Sequence, residues 1–587
     1  MDLTEINDEK YKGKFDFLAE TLLIPNLDKT NSNRSQMFTS HLSQNIQLEQ
    51  ADPPLVFTGF ENQVGKYSTG YKKLDGRWKL LKKFYKNKFN YTAILFNEEE
   101  ELYHIVERKE AKHLTEHFGL KFNNEVIDNI NENEEFENKV IYRDQNYDED
   151  MNFQYGKNLN AVYIPYKGFT NEDSIVVSES TAQKMASYLI KKVKINLNTN
   201  DVLLNLYGDD ESYRTFPSIG EEIKDGKLMG IRRINYNDMG FSMKDVNLRK
   251  IFATDTVKHA EGIVIDIDIY NNESLDKLRS QKYNHQMYNE YISISKYYSE
   301  VVEYLKPIVS SKRNNISSDL SAFYNKIAAF NDPANKFQSE GRVFDRIVAV
   351  FTILERIPLV KGSKLTGRYG NKGIIGLILP DEEMPVIETI DGEEFDKDSC
   401  LENRADIILN PFGVNNRLNP SQSFEHTFNM MSQVIRYRME HMDSREEKFN
   451  LLSEYIKSID ENMYKSLISI YDQLSDSDKD HYLEDTIKNG IYIQFTPFWN
   501  DMDIFKLKDI RDKFNIDRYK LSGISKPIEM GQLYMLRLKH EPIEKTSIRS
   551  EGNTNFQNLP TKTKDMKNSD NVTNNTPIRV GKFCRII

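Results

Sequence analysis

The sequence predicts a mixed α+β protein built from several domains. Its 587 residues correspond to roughly three to five domains of ordinary size. The stretch GIVIDIDIY, residues 262–270, alternates apolar and polar side chains as a half-buried strand does. Residues 280–330 and 423–487 instead have the spacing and composition of helices. The chain therefore combines strand-like and helical stretches.

Composition limits the classes of function. Hydrophobic residues make up 39% of the chain, which suffices for packed cores. No run of about eighteen apolar residues occurs, and the opening MDLTEINDEK lacks the apolar centre of a signal peptide. We therefore expect a cytoplasmic protein without membrane contact. The formal net charge of -11 argues against a DNA-coating protein but is compatible with a local basic channel.

Cysteine usage argues against disulfides and zinc. The chain has two cysteines, Cys400 and Cys584, and no H-E-x-x-H motif. Two cysteines without clustered histidines give neither a disulfide framework nor a zinc site. We expect no zinc.

A basic and aromatic stretch lies near the N-terminus. Residues 71–91, YKKLDGRWKLLKKFYKNKFNY, interleave lysines with Trp78, Phe84 and Tyr85. This pattern is typical of surfaces that bind a nucleic-acid backbone and stack on bases. An amphipathic element with a solvated basic face explains it equally well.

The alternating strand carries two carboxylates. Strict alternation puts Asp266 and Asp268 on one face and four isoleucines on the other: Ile263, Ile265, Ile267 and Ile269. Two carboxylates on one face can hold a metal, but a strand with one solvent-facing side is the simpler explanation.

The stretch GSKLTGRYGNKG, from Gly362 to Gly373, combines three cationic side chains with four glycines. Glycine allows the backbone to approach a ligand closely, and Lys and Arg donate to phosphate. A solvated turn is the alternative. The P-loop pattern fails because Arg368 and Tyr369 stand where it requires Lys and Ser or Thr. The spacing of the glycines also differs from the dinucleotide-binding pattern.

Four separated stretches carry further motifs. They are LIPNLDKTNSNRSQM, PYKGFTNEDSIVVSES, VKGSKLTGRYGNKG with its continuation ADIILNPFGVNNRLNPSQ, and GQLYMLRLKHEPIEKTSIRS. In this order they resemble the β subunit of the cellular multisubunit RNA polymerases. The match begins partway into such a subunit, and TPIRVGKFCRII resembles the segment before its C-terminal clamp region. The resemblance implies the C-terminal part of a split β subunit, of the kind encoded by giant (jumbo) phages.

The resemblance also implies the architecture: a double-psi β-barrel catalytic core, a flap-like projection and helical inserts. The expected segments are a fork and active-centre-proximal segment (1–60), a lobe-like or surface insert that is acidic in its second half (61–150), a core β segment leading to the barrel and flap base (151–239), the flap-like projection with helices (240–340), the barrel core with its phosphate-binding loops (341–426), a helical insert (427–490) and a C-terminal core and clamp-connecting segment (491–587).

The resemblance assigns phosphate contacts to the basic residues. Lys364 and Lys372 match residues that hold RNA phosphates beside the active centre, and Arg368 matches one that buttresses the same loop. Arg417 matches the arginine that faces the phosphates of the incoming nucleotide, with Arg34 as its partner. For Arg34 alone, an exposed loop arginine is the alternative.

Further matches concern Mg²⁺ and RNA. Glu172 and Asp173 match carboxylates near the Mg²⁺ that arrives with the nucleotide. The matches to RNA-contacting residues are Gln44, His540 and Lys545. The sequence departs from the family at two positions, with Asn171 in place of an aromatic residue and Tyr369 in place of the usual His.

The implied activity is that of a DNA-directed RNA polymerase subunit, active only in a complex. The family holds the catalytic Mg²⁺ on an N-A-D-F-D-G-D motif of its β′ subunit, and this motif does not occur here. The implied partners are an N-terminal β-like chain, β′-like chains, a promoter-specificity factor, template DNA, RNA and NTPs, in the host cytoplasm if a phage encodes the chain. The alternatives are a stand-alone nucleotidyltransferase or NTPase, which needs its own metal cluster, and an inactive structural homologue.

Overall fold

The computed structural model describes residues 19–66, 70–115, 117–198, 201–209, 212–234, 253–311, 313–330, 332, 335–339, 341–344, 346–498 and 502–542. Its strands are β1 (Val56–Phe57), β2 (Tyr71–Tyr85), β3 (Tyr91–Asn97), β4 (Leu102–Arg108), β5 (Ala111–Thr115), β6 (Phe118–Asn123), β7 (Glu135–Asp144), β8 (Lys157–Tyr163), β9 (Ser174–Ser178), β10 (Ser187–Leu197), β11 (Asp201–Leu203), β12 (Lys227–Ile234), β13 (Ala253–His259), β14 (Ile263–Asn271), β15 (Asn315–Ile316), β16 (Gln338–Ser339), β17 (Arg342–Val343), β18 (Ile347–Ile357), β19 (Lys364–Thr366), β20 (Lys372–Leu379), β21 (Ile387–Ile390), β22 (Glu393–Glu394), β23 (Ile407–Leu409), β24 (Ile493–Gln494), β25 (Lys520–Leu521) and β26 (Met530–Leu538).

The helices are α1 (Ser32–Leu42), α2 (Glu61–Gly65), α3 (Glu125–Asn129), α4 (Glu179–Lys184), α5 (Leu275–Ser280), α6 (His285–Ser310), α7 (Ser318–Phe330), α8 (Phe412–Asn415), α9 (Ser421–Glu440), α10 (Arg445–Ile459), α11 (Glu461–Tyr471), α12 (Asp476–Asn489) and α13 (Ile504–Lys513). Both predicted helical stretches are confirmed, the first as α6 and α7 and the second as α9 to α12. The predicted mixed α+β multidomain class is confirmed as well.

A closed six-stranded barrel carries the site described below at one of its ends. Its strands follow the order β19, β20, β9, β23, β8, β26, and β26 pairs back to β19. The pairs β20–β9 and β23–β8 are parallel, whereas the other barrel pairs are antiparallel. The barrel strands are rich in Ile, Val and Leu because side chains on both faces are enclosed. Helix α9 packs along β26.

Helices α9 to α13 form a second layer on the barrel. Helix α9 is buried over most of its surface because it lies between the barrel and the other helices. The side chain of Asp460 caps α11 by accepting from the amides of Asn462 and Met463, and Ser475 caps α12 through the amide of Asp478. These caps divide the helical stretch into short helices that fold back on one another.

A ten-stranded sheet runs from β14 through β18, β10, β6, β7, β2, β3 and β4 to β15, and β5 pairs with β6. The predicted strand is confirmed as β14, but its predicted isoleucine face is wrong. A bulge between Val264 and Asp266 interrupts the pairing with β18, and a bulge reverses the faces on which later side chains lie. Ile267 and Ile269 therefore share a core with Val264. Ile265 packs in another core, and Ile263 is exposed.

The two carboxylates of β14 do not form a solvent-facing row. The ammonium of Lys86 lies 2.8 Å from Asp266 and 2.7 Å from Asp268, and Asn87 donates to Asp266 at 2.9 Å. Neither proposed explanation, metal binding or a wet face, predicted this ion pair. The contact joins the turn after β2 to the edge strand of the sheet.

The basic and aromatic stretch forms the long strand β2. Trp78 and Phe84 are buried in two hydrophobic cores, whereas Tyr85 is 63% exposed. The amphipathic alternative therefore accounts for this stretch, since its aromatic side chains mainly pack inside the protein.

The predicted segment boundaries stay predictions. Strand β14 pairs with β18, and α6 packs against β14 and β2. The three-stranded sheet β11–β12–β13 adjoins this part, and residues 235–252, part of the predicted flap-like projection, lie outside the described residues. In the part of the chain that the structure describes, no helix is both long and apolar enough to cross a membrane.

Candidate functional site

The hairpin of β19 and β20 places two predicted lysines on one face. Thr366 pairs directly with Lys372, and Lys364 lies two residues before Thr366 on the same strand. Directly paired residues point to the same side of a sheet, and so do residues two apart along a strand. Lys364 and Lys372 therefore share a face. Neither lysine forms a salt bridge with a described residue, and both side chains are partly exposed, so both ammonium groups are available for a ligand.

Glycines allow the chain to pass close to its neighbours at this hairpin. Gly370 has φ of 69°, and a Cβ there would lie 2.8 Å from the carbonyl oxygen of Arg34. A Cβ on Gly373 would lie 2.6 Å from the carbonyl oxygen of Asp173. Any larger residue at either position forces the backbone apart. Glycine at these positions thus brings three of the predicted motifs into contact.

A small pocket opens where several barrel strands begin or end. It is called the barrel-mouth pocket, and it lies at one end of the barrel because β9 and β20 begin there whereas β8 and β23 end there. Its polar lining includes four predicted site residues: Glu172, Asp173, Lys372 and Arg417. Residues that are nearly 250 positions apart in sequence thus line one cavity.

An ion pair organises the charge in this pocket. The guanidinium of Arg417 lies 2.5 Å from the carboxylate of Asp173, and both side chains remain partly exposed. Arg34 lies near both groups, and burial lowers its pKa, as does the neighbouring charge of Arg417. Arg34 also donates to the carbonyl of Gly370 at 3.0 Å. Two arginines therefore flank one carboxylate at the barrel mouth.

Glu172 and Asp173 lie in the connection between β8 and β9, called the acidic turn. Glu172 has φ of 54°, a left-handed conformation that is uncommon outside glycine and asparagine. Asn410 donates to the carbonyl of Glu172 at 3.0 Å. This bond ties the acidic turn to the NPFGVNNRLN segment and keeps both carboxylates at the pocket.

Further polar residues lie near the hairpin face that carries Lys364 and Lys372. His540 and Gln44 contact each other at 2.8 Å between Nε2 and Oε1, so two residues predicted to contact RNA lie together. His41 was not predicted; its Nδ1 lies 3.0 Å from the hydroxyl of Thr366. Burial lowers the pKa of His41 to about 4, and the charges of Lys372, Arg34 and His540 add to the effect. His41 is therefore neutral near pH 7.

Arg368 lies beneath the surface rather than on it. Its side chain is 0% exposed, and its guanidinium lies 2.9 Å from the equally buried carboxylate of Glu425. It also lies 5.2 Å from the centroid of the Tyr534 ring. This placement agrees with a buttress for the loop and leaves no exposed surface on Arg368 for a nucleic acid.

A second buried charge pair supports the start of β19. Arg537 bonds to Glu541 at 2.8 Å and donates to the carbonyls of Met185, Ile357 and Pro358. The hydroxyl of Ser363 donates to the other oxygen of Glu541 at 2.6 Å. Position 364 is thereby anchored from below, which fixes where the lysine side chain emerges.

Sequence reasoning did not find three of these supporting residues. Glu425 and His41 become recognisable only through their contacts with Arg368 and Thr366, which lie far away in the sequence. Asn410 stood inside a recognised motif and could have been found there. Of the predicted site residues, Lys545 lies outside the described residues, and its role stays a prediction.

The carboxylates of the pocket do not by themselves form a metal site. Within the described ranges, no group of three or more His, Cys, Asp or Glu side chains is arranged to hold a metal ion. Asp173 is engaged with Arg417, and Glu172 is exposed beside it. This donor set fits an outer position near a metal bound by other groups better than a set of direct ligands.

The comparisons with known proteins bear on this site. Residues 103–564 match the family model described as RNA polymerase Rpb2, domain 6. The chain belongs to this RNA polymerase Rpb2 domain 6 family. The matched region contains the acidic turn, the β19–β20 hairpin and Arg417, whereas Arg34 and Gln44 precede it.

Curated relatives of this Rpb2 domain 6 protein include two bacterial chains. They are the DNA-directed RNA polymerase subunits beta of Ehrlichia ruminantium strains Gardel and Welgevonden, each 22% identical over 622 aligned residues. Each alignment covers 90% of this chain and 42% of the relative. The chain therefore spans less than half the length of the curated relatives it matches.

Proposed function

We propose that this chain is a subunit of a DNA-dependent RNA polymerase, corresponding to the C-terminal part of a split β subunit. It supplies RNA and NTP phosphate contacts to an active centre completed by a β′-like chain. The observation that carries the proposal is the barrel-mouth pocket, where residues of three separated motifs meet: Glu172 and Asp173, Lys372, and Arg417. Membership of the Rpb2 domain 6 family supports the same function.

Lys364 and Lys372 bind the phosphates of RNA near its 3′ end. Their ammonium groups emerge on one face of the hairpin, and phosphate contacts position a strand without reading its bases. A polymerase needs this property because the RNA end changes sequence at every step. Gln44 and His540, which contact each other, extend the RNA-binding surface, and we place Lys545 there as well.

Arg417 binds the phosphates of the incoming NTP. A guanidinium has five N–H donors, so Asp173 can hold one edge of Arg417 while the remaining donors reach a triphosphate. Arg34 supplies a second guanidinium close by. Donors aimed at the leaving pyrophosphate stabilise the charge that develops there in the transition state.

Mg²⁺ would be held mainly by the β′-like partner and by the NTP. When bound, it would neutralise charge on the phosphate oxygens. Glu172 and Asp173 would orient groups around the Mg²⁺ that arrives with the NTP. We place no zinc in this chain.

The remaining proposals follow from the same family membership. The closed barrel is a double-psi barrel, and residues 240–340, with β14 as one strand and helices towards their end, form a flap-like projection. The partners are an N-terminal β-like chain, β′-like chains, a promoter-specificity factor, template DNA and RNA. A giant phage encodes the split chain, which acts in the host cytoplasm and is active only in the complex.

Replacement of the two lysines tests the proposal. In the complex assembled with its native partners, Lys364→Ala combined with Lys372→Ala should release RNA from a preformed RNA:DNA scaffold about tenfold faster or more, because charge-assisted contacts are lost. Lys397→Ala with Lys465→Ala, two exposed lysines elsewhere, is the matched control and should leave release unchanged. Equal rates of RNA release from the variant lacking Lys364 and Lys372 and from the wild type would contradict the proposed role.

A further inference from the structure

A second cavity, called the sheet cavity, shares no lining residue with the barrel-mouth pocket. It encloses about 400 Å³, within the range of roughly 300–1,000 Å³ that is typical of small-molecule sites. Strands β2, β4, β6 and β7 contribute to its wall, and α7 covers one side. The cavity thus lies between the large sheet and a helix packed on it.

One face of α7 is turned towards this cavity. Asp319, Ala322, Phe323 and Lys326 line it, and these positions recur at the three- and four-residue spacing of a single helix face. The helix is therefore a continuous wall rather than a chance neighbour.

Positive charge predominates in the lining. Four lysines line the cavity against two carboxylates: Lys72, Lys109, Lys112 and Lys326 against Glu107 and Asp319. Only Lys109 among these lysines has an ion-pair partner in the described part of the chain, Glu107 at 2.9 Å. Burial lowers the pKa of the nearby His104 to about 4, and the charge of Lys72 adds to the effect. In a chain of net charge -11, this excess favours an anionic guest.

Aromatic and aliphatic side chains complete the wall. Phe122 packs edge-to-face on Tyr142 with ring centroids 5.0 Å apart, and both line the cavity together with Phe323 and Ile105. A planar ring packs well against such surfaces. Lysines and aromatic side chains therefore line the same cavity.

We propose that the sheet cavity binds a small phosphorylated ligand with a planar ring, of the nucleotide class. The lysines take the phosphate, and the aromatic side chains pack on the ring. This site is separate from the proposed polymerisation site, because the two cavities have no residue in common.

Titration calorimetry on the full-length chain tests the proposal, with adenosine 5′-monophosphate as the probe. Adenosine and ribose 5-phosphate each carry half of the recognised chemistry and should bind about tenfold more weakly or worse. Lys72→Gln combined with Lys326→Gln should weaken binding of the monophosphate by about tenfold or more, since two charged contacts are lost. Ala322→Trp should block binding by filling the cavity from the helix side.

The matched control removes the same number of lysines from β2 and from a neighbouring helix. Lys79→Gln with Lys296→Gln should bind the monophosphate as the wild type does. Arg417→Ala separates this cavity from the barrel-mouth pocket and should also leave binding unchanged. The proposal is overturned if the monophosphate does not bind, if binding depends on Arg417 instead of Lys72 and Lys326, or if only a single-stranded oligonucleotide binds in a Lys72- and Lys326-dependent manner.

Discussion

At the scale of single residues, the barrel-mouth pocket combines paired and unpaired cations. Arg417 is held by Asp173 at 2.5 Å, whereas Lys372 has no ion-pair partner among the described residues. An arginine oriented before the ligand arrives loses less freedom on binding. A lysine without a partner has no bond to break when a phosphate approaches. Both arrangements favour an anionic ligand at this position.

Replacing Arg417 should chiefly affect use of the incoming nucleotide. In the assembled complex, Arg417→Ala should lower kcat/KM for NTPs by about 30-fold to 1000-fold, since a phosphate contact in the transition state contributes roughly 2 to 4 kcal/mol. Single-nucleotide addition on a preformed scaffold measures it. Arg445→Ala, which removes an arginine from α10, should leave kcat/KM unchanged. Wild-type kcat/KM in the Arg417→Ala enzyme would refute the assigned role.

The acidic turn should influence the Mg²⁺ requirement. Glu172→Gln combined with Asp173→Asn should raise the Mg²⁺ concentration for half-maximal nucleotide addition by about 10-fold to 100-fold, as for other groups beyond the direct ligands. Scaffold binding should hardly change. The measurement is a Mg²⁺ titration at saturating NTP, with Glu393→Gln and Glu394→Gln, the exposed pair of β22, as the control. An unchanged Mg²⁺ midpoint and an unchanged rate of nucleotide addition would contradict a role of the turn in Mg²⁺ use.

The sequence predicted the residues that face the pocket better than those that support it. Lys372, Arg417, Glu172 and Asp173 stand in recognisable motifs, and all line one pocket. The support for Arg368 comes from Glu425, 57 positions later in the chain. A buried partner of this kind is set by how β26 and α9 pack, and local spacing carries no trace of it.

At the scale of elements, local periodicity predicted element types well and side-chain faces less well. Helices α6 and α7 and strand β14 were expected from spacing alone. The bulge between Val264 and Asp266 was not, because it depends on the pairing with β18. The same holds for Lys86, whose carboxylate partners lie 180 and 182 positions away. Tertiary pairing, rather than propensity, decides both features.

The end of β7 carries a buried carboxyl that makes stability depend on pH. Asp144 is 1% exposed, and burial raises its pKa to about 7, against about 3.9 in an unfolded chain. Between these values the folded state holds a proton that the unfolded state has released. The contribution of Asp144 to the free energy of unfolding is therefore fully present below about pH 4. It is lost as pH rises towards 7, by at most about 1.4 kcal/mol per pH unit.

Asp144→Asn should remove this dependence, because the amide stays neutral. The free energy of unfolding is measured in urea through tryptophan fluorescence. The value of the variant minus that of the wild type should increase from about pH 5 to pH 7 and stay constant above pH 7. Asp75→Asn, at a carboxylate that is 75% exposed, is the control and should track the wild type. A difference that does not change with pH would show that Asp144 does not titrate as described.

At the scale of the whole molecule, the chain carries one side of a proposed active centre. The barrel positions the proposed phosphate-binding residues at one end, and helices α9 to α13 pack against it. No cluster of three or more metal-binding side chains occurs among the described residues. The chain covers 42% of the length of its curated relatives. We propose that partner chains complete this active centre.

Extension of RNA on a preformed RNA:DNA scaffold tests this claim most directly. The chain purified alone and the complex purified with its native partners are each supplied with Mg²⁺ and NTPs. We predict extension by the complex and none by the isolated chain, because in our proposal the ligands of the catalytic Mg²⁺ lie on a partner. Extension of the RNA by the purified single chain would contradict the account.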